Sequence, residues 1–359
     1  MKIFLYSVGL IAVALAAVVT TVQIPSVQGI LLEREVAQRA SNIPEDLFVD
    51  DAVRVTLCGS AAPMPVRDRA AACVMVIAGG KYYIVDTGNR STNNLALWRI
   101  PSARVGAVLL THFHSDHIGD LGEFNMTTWA QGRPGPLTVY GPKGVEQVVE
   151  GFTRAYALDS LYRTAHHGKE ILDPAVGKMV ARELTLDGDS AVVLEDGDLK
   201  VQMFRVNHSP IEPAVGYRFD YKGRSVVVSG DTTKVETTIK FSQNADVLIH
   251  EGLARHIVKR MEKHFASKGD KRLEKIMLDI EDYHTSPIEA AEVANEANVK
   301  ELVLYHLVPA PPHALAEWFF MRGVKDIRSA GVTLGYDGLT LVLPVGSNEI
   351  RQLNLDARY

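Results

Sequence analysis

The sequence predicts an α/β fold in one large domain, and three observations support this class. From residue 52 onward the chain contains short β-rich runs, most of them bounded by Gly, Asp or Pro as strands usually are. Helical patterns lie between these runs along the whole length. No repeat and no Ser- or Gly-rich seam divides the chain. With 47% of its 359 residues hydrophobic and 23% charged, the composition excludes a disordered chain.

Residues 1–20 form an apolar segment that we interpret as a targeting signal. Lys2 is its one charge, and the run from Ile3 to Val19 is almost wholly apolar. The small residues Ala14 and Ala16 form an A-x-A-like cleavage site, which favours a signal peptide over an uncleaved N-terminal anchor. The anchor is the alternative, although roughly 20 apolar residues are needed to cross a bilayer. We therefore expect a periplasmic or secreted protein that meets a membrane only through an uncleaved segment.

The rest of the chain divides into three predicted parts. Residues 21–50 carry a polar helical pattern and are predicted to be a lead-in or linker. Residues 51–346 form the predicted α/β domain, and residues 347–359 a C-terminal tail. Within the domain, residues 72–88 and 214–231 have the pattern of β-hairpins that turn at Gly-Gly and Lys-Gly.

Helices are predicted after Gly144, over residues 255–265 and from Ser286 onward. Ser286 is followed by Pro287 and, three residues on, by Glu289, which is a capping-box pattern. The helix over 255–265 is basic, so its face is either simply solvated or contacts a membrane surface or a partner.

Cys58 and Cys73 are the only cysteines, and both lie in strand-like runs. In an oxidising compartment they could form a disulfide, whereas in a reducing one they would be two small buried thiols. Both alternatives stay open, because sequence spacing does not show whether two Cβ atoms face each other.

The strongest chemical signal follows the apolar run that ends at Leu110. The next residues are Thr-His-Phe-His-Ser-Asp-His. In an extended segment His112 and His114 point to the same face, so both imidazoles can hold one ion. Asp116 and His117 lie in the following turn and can reach a second ion. This spacing therefore supplies most of two metal sites.

Three further candidate ligands stand where apolar runs end, namely His208, Asp231 and His306. The seven ligands together are nitrogen and oxygen donors with no thiolate, a set that suits two divalent ions. We expect two Zn²⁺, with Mn²⁺ or Fe²⁺ as alternatives. In such a centre the ions activate water as a metal-bound hydroxide.

These motifs, from about residue 53 to residue 344, resemble the metallo-β-lactamase superfamily. The resemblance implies a four-layer αββα sandwich with the ligands along one edge. It also implies that Asp86, in the run KYYIVDTG, orients a ligand. The implied ligands are His112, His114 and His208 for one ion, Asp116, His117 and His306 for the other, and Asp231 between both.

The closer resemblance is to the arylsulfatase-like and ribonuclease Z-like branch. It depends on THFHSDHIGDLGEF, VNHSPIEPAVGYRFDY, VLIHEG, DYHTSPIEAAEVA and LVLYHLVP, in this order. In that branch a Glu and a His act near the leaving group, which implies catalytic roles for Glu251 and His284. Our mechanistic hypothesis is that Asp116, besides binding metal, positions the attacking water and that His284 protonates the leaving group, with a structural helix contact beside the site as the alternative role of the Glu251–His284 pair.

One departure decides the expected substrate. The common short ribonuclease Z enzymes carry a long Gly- and Pro-rich arm between the motifs that match His208 and Asp231, which here are separated by only 22 residues. The net charge of −5 and the signal also argue against nucleic acid as a partner. We therefore expect a metal-dependent, arylsulfatase-like hydrolase of small sulfate or phosphate esters.

Several alternatives stay open at this stage. They are a phosphodiesterase or ribonuclease Z-like endonuclease, a lactonase and, least favoured, a non-catalytic metal-binding protein. A homo-oligomer is also left open. The candidates for a substrate-facing wall, each with packing or surface exposure as its alternative, are Trp129, Arg133, Tyr156, Tyr162, His166 and His167.

Overall fold

The computed structural model describes residues 20–41 and 44–358. The strands are β1 Ala52–Gly59, β2 Cys73–Ala78, β3 Lys81–Val85, β4 Val105–Leu109, β5 Leu137–Gly141, β6 Met179–Glu183, β7 Ser190–Asp196, β8 Leu199–Arg205, β9 Val215–Tyr221, β10 Arg224–Val228, β11 Val247–Leu253, β12 Glu301–Val308, β13 Val332–Leu334, β14 Leu339–Pro344 and β15 Arg351–Asn354. The α-helices are α1 Pro25–Ser41, α2 Ser91–Leu97, α3 Ser115–Ile118, α4 Leu121–Ala130, α5 Val145–Ala155, α6 Ala157–His167, α7 Glu236–Phe241, α8 Arg255–Ser267, α9 Lys271–Asp279, α10 Pro287–Glu296, α11 Ala314–Phe320 and α12 Val324–Ile327.

The strands form two sheets. The first has the order β15-β14-β1-β2-β3-β4-β5-β6, and the second has the order β13-β12-β11-β10-β9-β8-β7. Each sheet combines antiparallel hairpins with a parallel half, β3 to β6 in the first and β10 to β13 in the second. The two predicted hairpins are present as β2–β3 and β9–β10. The turn of the second contains Lys222 and Gly223 with φ of 46° and 83°.

Hydrophobic side chains fill the space between the sheets and cover their outer faces. Buried residues of both sheets meet in the middle, among them Val55, Val76 and Tyr217. Helices α2, α4 and α5 pack on the outside of the first sheet. Helices α10, α11 and α12 pack on the outside of the second. The predicted four-layer αββα sandwich is therefore confirmed.

The fold gathers the chemical residues at one edge. Strands β4, β10, β11 and β12 run in the parallel halves of their sheets, so their carboxyl ends meet at the same edge. His112 follows β4, Asp231 follows β10, Glu251 lies in β11, and His306 lies near the end of β12. The capping box of Ser286 and Glu289 is present and starts α10 beside this edge.

Two predicted boundaries need correction. The chain divides into a first unit that ends at Pro44 and a second that begins at Glu45, so the end of the predicted 21–50 linker belongs to the domain. Residues 347–359 are also not simply a tail. Arg351–Asn354 pairs with β14, and Leu355 is fully buried. The run RQLN is too polar to resemble a strand, but an edge strand needs few apolar residues.

Cys58 and Cys73 form a disulfide that joins the end of β1 to the start of β2. Both side chains are fully buried. Of the two alternatives left open by the sequence, the structure therefore has the bonded form. The predicted signal or anchor, residues 1–20, lies outside the described residues except for its last position. Among the described helices, none is both long and apolar enough to cross a membrane.

Candidate metal centre

The first ligand cluster brings together His112, His114 and His208. Nε2 of His112 lies 3.0 Å from Nδ1 of His114, and Nε2 of His208 lies 3.5 Å from the same atom. His112 and His208 are buried, while His114 is partly exposed. His208 is held by its other ring nitrogen, Nδ1, which lies 3.0 Å from the carbonyl oxygen of Tyr283. Three imidazoles thus converge on one point.

The second cluster contains Asp116, His117 and His306. Oδ2 of Asp116 lies 3.1 Å from Nε2 of His306 and 3.6 Å from Nε2 of His117. The short helix α3 presents Asp116 and His117 together. His306 has a φ of 44° and interrupts the β11–β12 register, because Glu251 pairs with Tyr305 but Gly252 pairs with Leu307. Such bulges re-aim a side chain, here toward the centre.

Asp231 lies between the two clusters. Its Oδ2 is 3.3 Å from Nε2 of both His117 and His306. It is also 3.9 Å from Nε2 of His112 and of His208. Gly230 makes this position reachable: its φ is 62°, and a Cβ there would lie 2.6 Å from the carbonyl oxygen of Val215. One carboxylate oxygen therefore faces ligands from both clusters.

The donor set fits divalent metal ions. Two ligands at 2.0–2.1 Å from a tetrahedral ion are about 3.3 Å apart, close to the separations found here. Nε2 of His117 and Oδ1 of Asp231 are buried without a hydrogen-bond partner in the described chain. Unpartnered buried polar atoms are costly, and an ion would satisfy them. The carboxylate and imidazole donors also match the ligand preference of zinc, manganese and iron.

The electrostatic environment favours the ligand forms of three of the candidate ligands. Burial, together with nearby His117, holds the pKa of His112 well below its ordinary value, so its imidazole is neutral. Burial opposes ionisation of Asp116, but His117 and His306 outweigh it and lower its pKa to about 2. The pKa of Asp231 is also well below normal, since the same two histidines outweigh its burial. Metal ligands must be deprotonated, as these three groups are. His117 is the exception: burial opposes its protonation, but the carboxylates of Asp231 and Asp116 outweigh burial and raise its pKa well above the ordinary value, so a bound ion would have to displace its proton.

Asp86 orients the second cluster, as the resemblance implied. Its Oδ2 lies 2.8 Å from Nδ1 of His117 and accepts a hydrogen bond of 2.8 Å from the Thr111 hydroxyl. Its Oδ1 accepts another of 2.8 Å from the backbone N–H of Thr111. A carboxylate on one ring nitrogen leaves the other, Nε2, free for a metal. Asp86 has a φ of 60°, a strained backbone of the kind that clusters at functional sites.

Glu251 and His284 form a buried pair beside the ligands. Nδ1 of His284 lies 3.0 Å from Oε1 of Glu251, which also accepts a 2.9 Å hydrogen bond from the backbone N–H of Thr285. The His284 ring stacks on His306 with centroids 5.5 Å apart. Burial opposes its protonation, but Glu251 outweighs burial and raises the pKa of His284. The structure therefore places a charge-stabilised imidazole next to the metal ligands.

A cavity of about 410 Å³ opens onto this centre. His114, Asp116, Asp231, His284 and His306 line one side. The other side is apolar and comes from α9, two loops and the end of β12, through Met64, Ile276, Met277, Ile280, Tyr283 and Val308. None of the described residues that line it is Lys or Arg. Sequence reasoning missed this wall, because apolar residues on a helix carry no signal that separates a site from a core.

The six predicted wall residues lie elsewhere. Trp129 is buried, and its Nε1–H donates a 2.9 Å hydrogen bond to the Asp173 carbonyl. Arg133 is buried too, with its guanidinium 2.7 Å from the Val176 carbonyl oxygen. The other four are on or next to the outer helix α6 and do not line the cavity, namely Tyr156, Tyr162, His166 and His167. Trp129 and Arg133 are thus packing residues.

Comparison with known proteins gives consistent matches. A family model described as "Beta-lactamase superfamily domain" matches residues 82–307. Ribonuclease Z of Mycobacterium bovis (strain BCG / Pasteur 1173P2) is 33% identical over 261 residues, or 72% of this chain and 87% of that protein. Ribonuclease Z of Mycolicibacterium paratuberculosis (strain ATCC BAA-968 / K-10) is 36% identical over the same shares.

Solved structures share the fold. Human tRNase Z, short form, superposes with a TM-score of 0.58 at 22% identity, covering 81% of this chain and all of that one. The metallo-beta-lactamase fold protein YhfI from Bacillus subtilis gives a TM-score of 0.57 at 21% identity, with the same coverage. At 21% and 22% identity, these structures show that the fold is shared and nothing further.

The comparisons correct one expectation. The net charge, the missing arm and the N-terminal signal made nucleic acid an unlikely partner, and this expectation was wrong, because the curated relatives are ribonucleases. They also favour the phosphodiesterase alternative over the arylsulfatase interpretation. The family match, the ligand set and the curated relatives agree. The chain therefore belongs to the metallo-β-lactamase fold hydrolases, in their ribonuclease Z-like branch.

Proposed function

We propose that the protein is a metal-dependent phosphodiesterase that cleaves RNA. The observation that carries the proposal is a complete set of seven converging ligands beside the Glu251–His284 pair, in a chain 33% to 36% identical to curated ribonucleases Z. A merely metal-binding protein would not need the buried imidazole and its carboxylate partner. The sulfate ester interpretation has no comparable support from the relatives.

The ligands divide by position. The proposed set for one ion is His112, His114 and His208, for the other Asp116, His117 and His306, with Asp231 facing both. Two divalent ions, zinc in this proposal, supply activation of water and neutralisation of charge on the phosphoryl oxygens. The protein's part is to fix the ligand geometry through Asp86 and the His306 bulge.

Asp116 and His284 take the two proton-handling roles. Asp116 lines the cavity and stays ionised, so its carboxylate can accept a hydrogen bond from the attacking water and orient it. His284 lines the same cavity, and although burial opposes its protonation, Glu251 raises the pKa of its imidazole, which suits it to donate a proton to the leaving ribose oxygen. An alkoxide is a poor leaving group, and a proton donor matters most for such substrates.

The compartment is part of the proposal. The apolar run from Ile3 to Val19 and the Cys58–Cys73 bond both support export from the cytoplasm. Cell fractionation with mass spectrometry of the N-terminus tests this: an exported protein cleaved near Ala16 is expected. Protein with an intact N-terminus in the cytoplasmic fraction would contradict it.

RNA cleavage by the zinc-loaded protein tests the function. We expect a labelled RNA with an unpaired 3′ extension to be cut, and the rate to fall at least about 100-fold in Asp116→Asn. Asp282→Asn, which changes an exposed carboxylate close to His284 in sequence, is the matched control and should keep the wild-type rate. RNA that stays intact, or a wild-type rate no higher than that of Asp116→Asn, would overturn the proposal.

A further inference from the structure

We infer that the helical hairpin 255–279, formed by α8 and α9, binds the phosphate backbone of the RNA substrate. This inference rests on the proposed function. It assigns a role to the basic helix that the sequence left between a solvated face and a partner surface, and it places the polyanion-binding surface directly beside the cavity.

The hairpin is basic in an acidic protein. Residues 255–279 contain eight Lys or Arg and four Asp or Glu, whereas the whole chain has a net charge of −5. Affinity for nucleic acid depends on such local concentrations of cations, because each phosphate contact releases condensed counterions. The net charge of the whole chain does not reveal this local basic surface.

Most of these cations are free to meet phosphate. Five of them are exposed and form no ion pair within the described chain: Arg260, Lys263, Lys268, Lys271 and Arg272. By contrast, Lys259 pairs with Glu281 at 3.5 Å, and Lys275 pairs with Asp279. An unpaired surface cation costs nothing in lost ion pairs when it binds an anion.

The hairpin is anchored at the catalytic centre. Arg255 at its base donates one hydrogen bond of 2.7 Å to Glu289 and another of 3.1 Å to the backbone carbonyl of His284. Val258 of α8 and Met277 of α9 pack in one small core. Met277 also lines the cavity. A strand bound along the hairpin would therefore lie within reach of His284.

The cavity itself explains why an outer surface is needed. Because no Lys or Arg is among its described lining residues, the phosphates flanking the cleaved one must be neutralised elsewhere. The 13-residue helix α8 is about 20 Å long, which matches roughly six stacked nucleotides. The segment between His208 and Asp231 holds only the β9–β10 hairpin, so α8 and α9 provide the nearby basic surface.

The test compares two triple variants of the full-length, zinc-loaded protein. The hairpin variant is Arg260→Gln/Lys263→Gln/Lys271→Gln. The control, Arg322→Gln/Lys143→Gln/Lys169→Gln, removes the same charges from other exposed positions. Binding of a fluorescein-labelled 12-nucleotide RNA is measured by anisotropy over a salt series, with Asp116→Asn added to each protein to prevent cleavage. Turnover of bis(4-nitrophenyl) phosphate is measured without Asp116→Asn and reports on the centre alone.

We expect the hairpin variant to raise the Kd for RNA at least about tenfold at 0.1 M salt and to reduce the slope of log Kd against log salt by about two. Its turnover of the small ester should stay within twofold of wild type, and the control variant should bind RNA normally. RNA binding depends on neither metal chemistry nor cleavage, so it tests the hairpin even if no RNA is cut.

Two results would overturn the inference. One is an unchanged Kd and salt slope in the hairpin variant. The other is a hairpin variant that still binds RNA like wild type but no longer binds vesicles containing 30% phosphatidylserine. This result would make the hairpin a membrane-facing surface. If RNA binding changes as expected but the protein without Asp116→Asn does not cut RNA, the hairpin assignment stands and the proposed function fails.

Discussion

Nδ1 of His284 lies 3.0 Å from Oε1 of Glu251, and both side chains are buried next to the metal ligands. The carboxylate stabilises the protonated imidazole, because a buried cation without a counter-charge is costly. The pair is therefore built to keep a proton available where a leaving group would depart, and this relationship carries the first prediction.

Glu251→Gln should slow substrates with poor leaving groups far more than activated ones. We expect roughly a 100-fold loss on an alkyl phosphodiester and less than a fivefold loss on bis(4-nitrophenyl) phosphate, because nitrophenolate leaves without a proton. Kinetics on a series of esters with leaving groups of graded acidity measures this. Equal losses across the series would show that Glu251 only supports the structure.

Asp231→Asn should lower the metal content of the protein. Its Oδ2 faces His117 and His306 at 3.3 Å, so replacing it deprives both sites of a charged ligand. We expect bound zinc to fall from about two ions per chain to one or fewer, as measured by mass spectrometry of dialysed protein. Asp187→Asn, at an exposed position, is the control. Full zinc content in Asp231→Asn would contradict the proposal that Asp231 contributes to both metal sites.

Asp86→Asn should weaken metal binding by about 10- to 100-fold without abolishing turnover. Asn can still contact the ring of His117, but it loses the charge that orients it and one of its acceptor oxygens. Competition with a zinc chelator measures the affinity, and excess zinc should restore most of the activity. An unchanged affinity would show that Asp86 serves only the Thr111 loop.

Removing the disulfide should destabilise the domain without affecting the centre. The bond closes a 15-residue separation, for which the loss of unfolded-state constraint is about 3 kcal/mol. Urea unfolding of Cys58→Ala/Cys73→Ala under oxidising conditions measures the difference in the free energy of unfolding. A variant as stable as wild type would contradict this role.

The residue pattern predicted the α/β class, the family resemblance implied the sandwich, and the sequence singled out the seven candidate ligands that the structure brings together. Ligands at strand ends are visible because a His or Asp directly after an apolar run is unusual, and parallel strands bring such ends together. Asp86 was identified only through the resemblance to the metallo-β-lactamase superfamily. The edge strand β15 was missed because its four residues are mostly polar, and such a strand depends on pairing with β14 rather than on its own pattern.

The substrate could not be predicted from the same information. Net charge sums over the whole chain and so conceals the basic surface of α8 and α9. The apolar wall with Tyr283 and Met277 depends on how α9 docks, which periodicity does not encode. Sequence alone left Trp129 and Arg133 open between a cleft wall and packing, because a buried arginine bound to carbonyl oxygens has the same sequence signature as one in a cleft.

The most direct test of the account is a rate comparison on the zinc-loaded protein between an aryl phosphodiester and an aryl sulfate that share one phenol. The common leaving group isolates the centre attacked, and Asp116→Ala gives the background. We predict that the phosphodiester reacts at least about 100-fold faster than the Asp116→Ala background and clearly faster than the sulfate. A faster sulfate, or neither ester above background, would contradict the assignment as a phosphodiesterase.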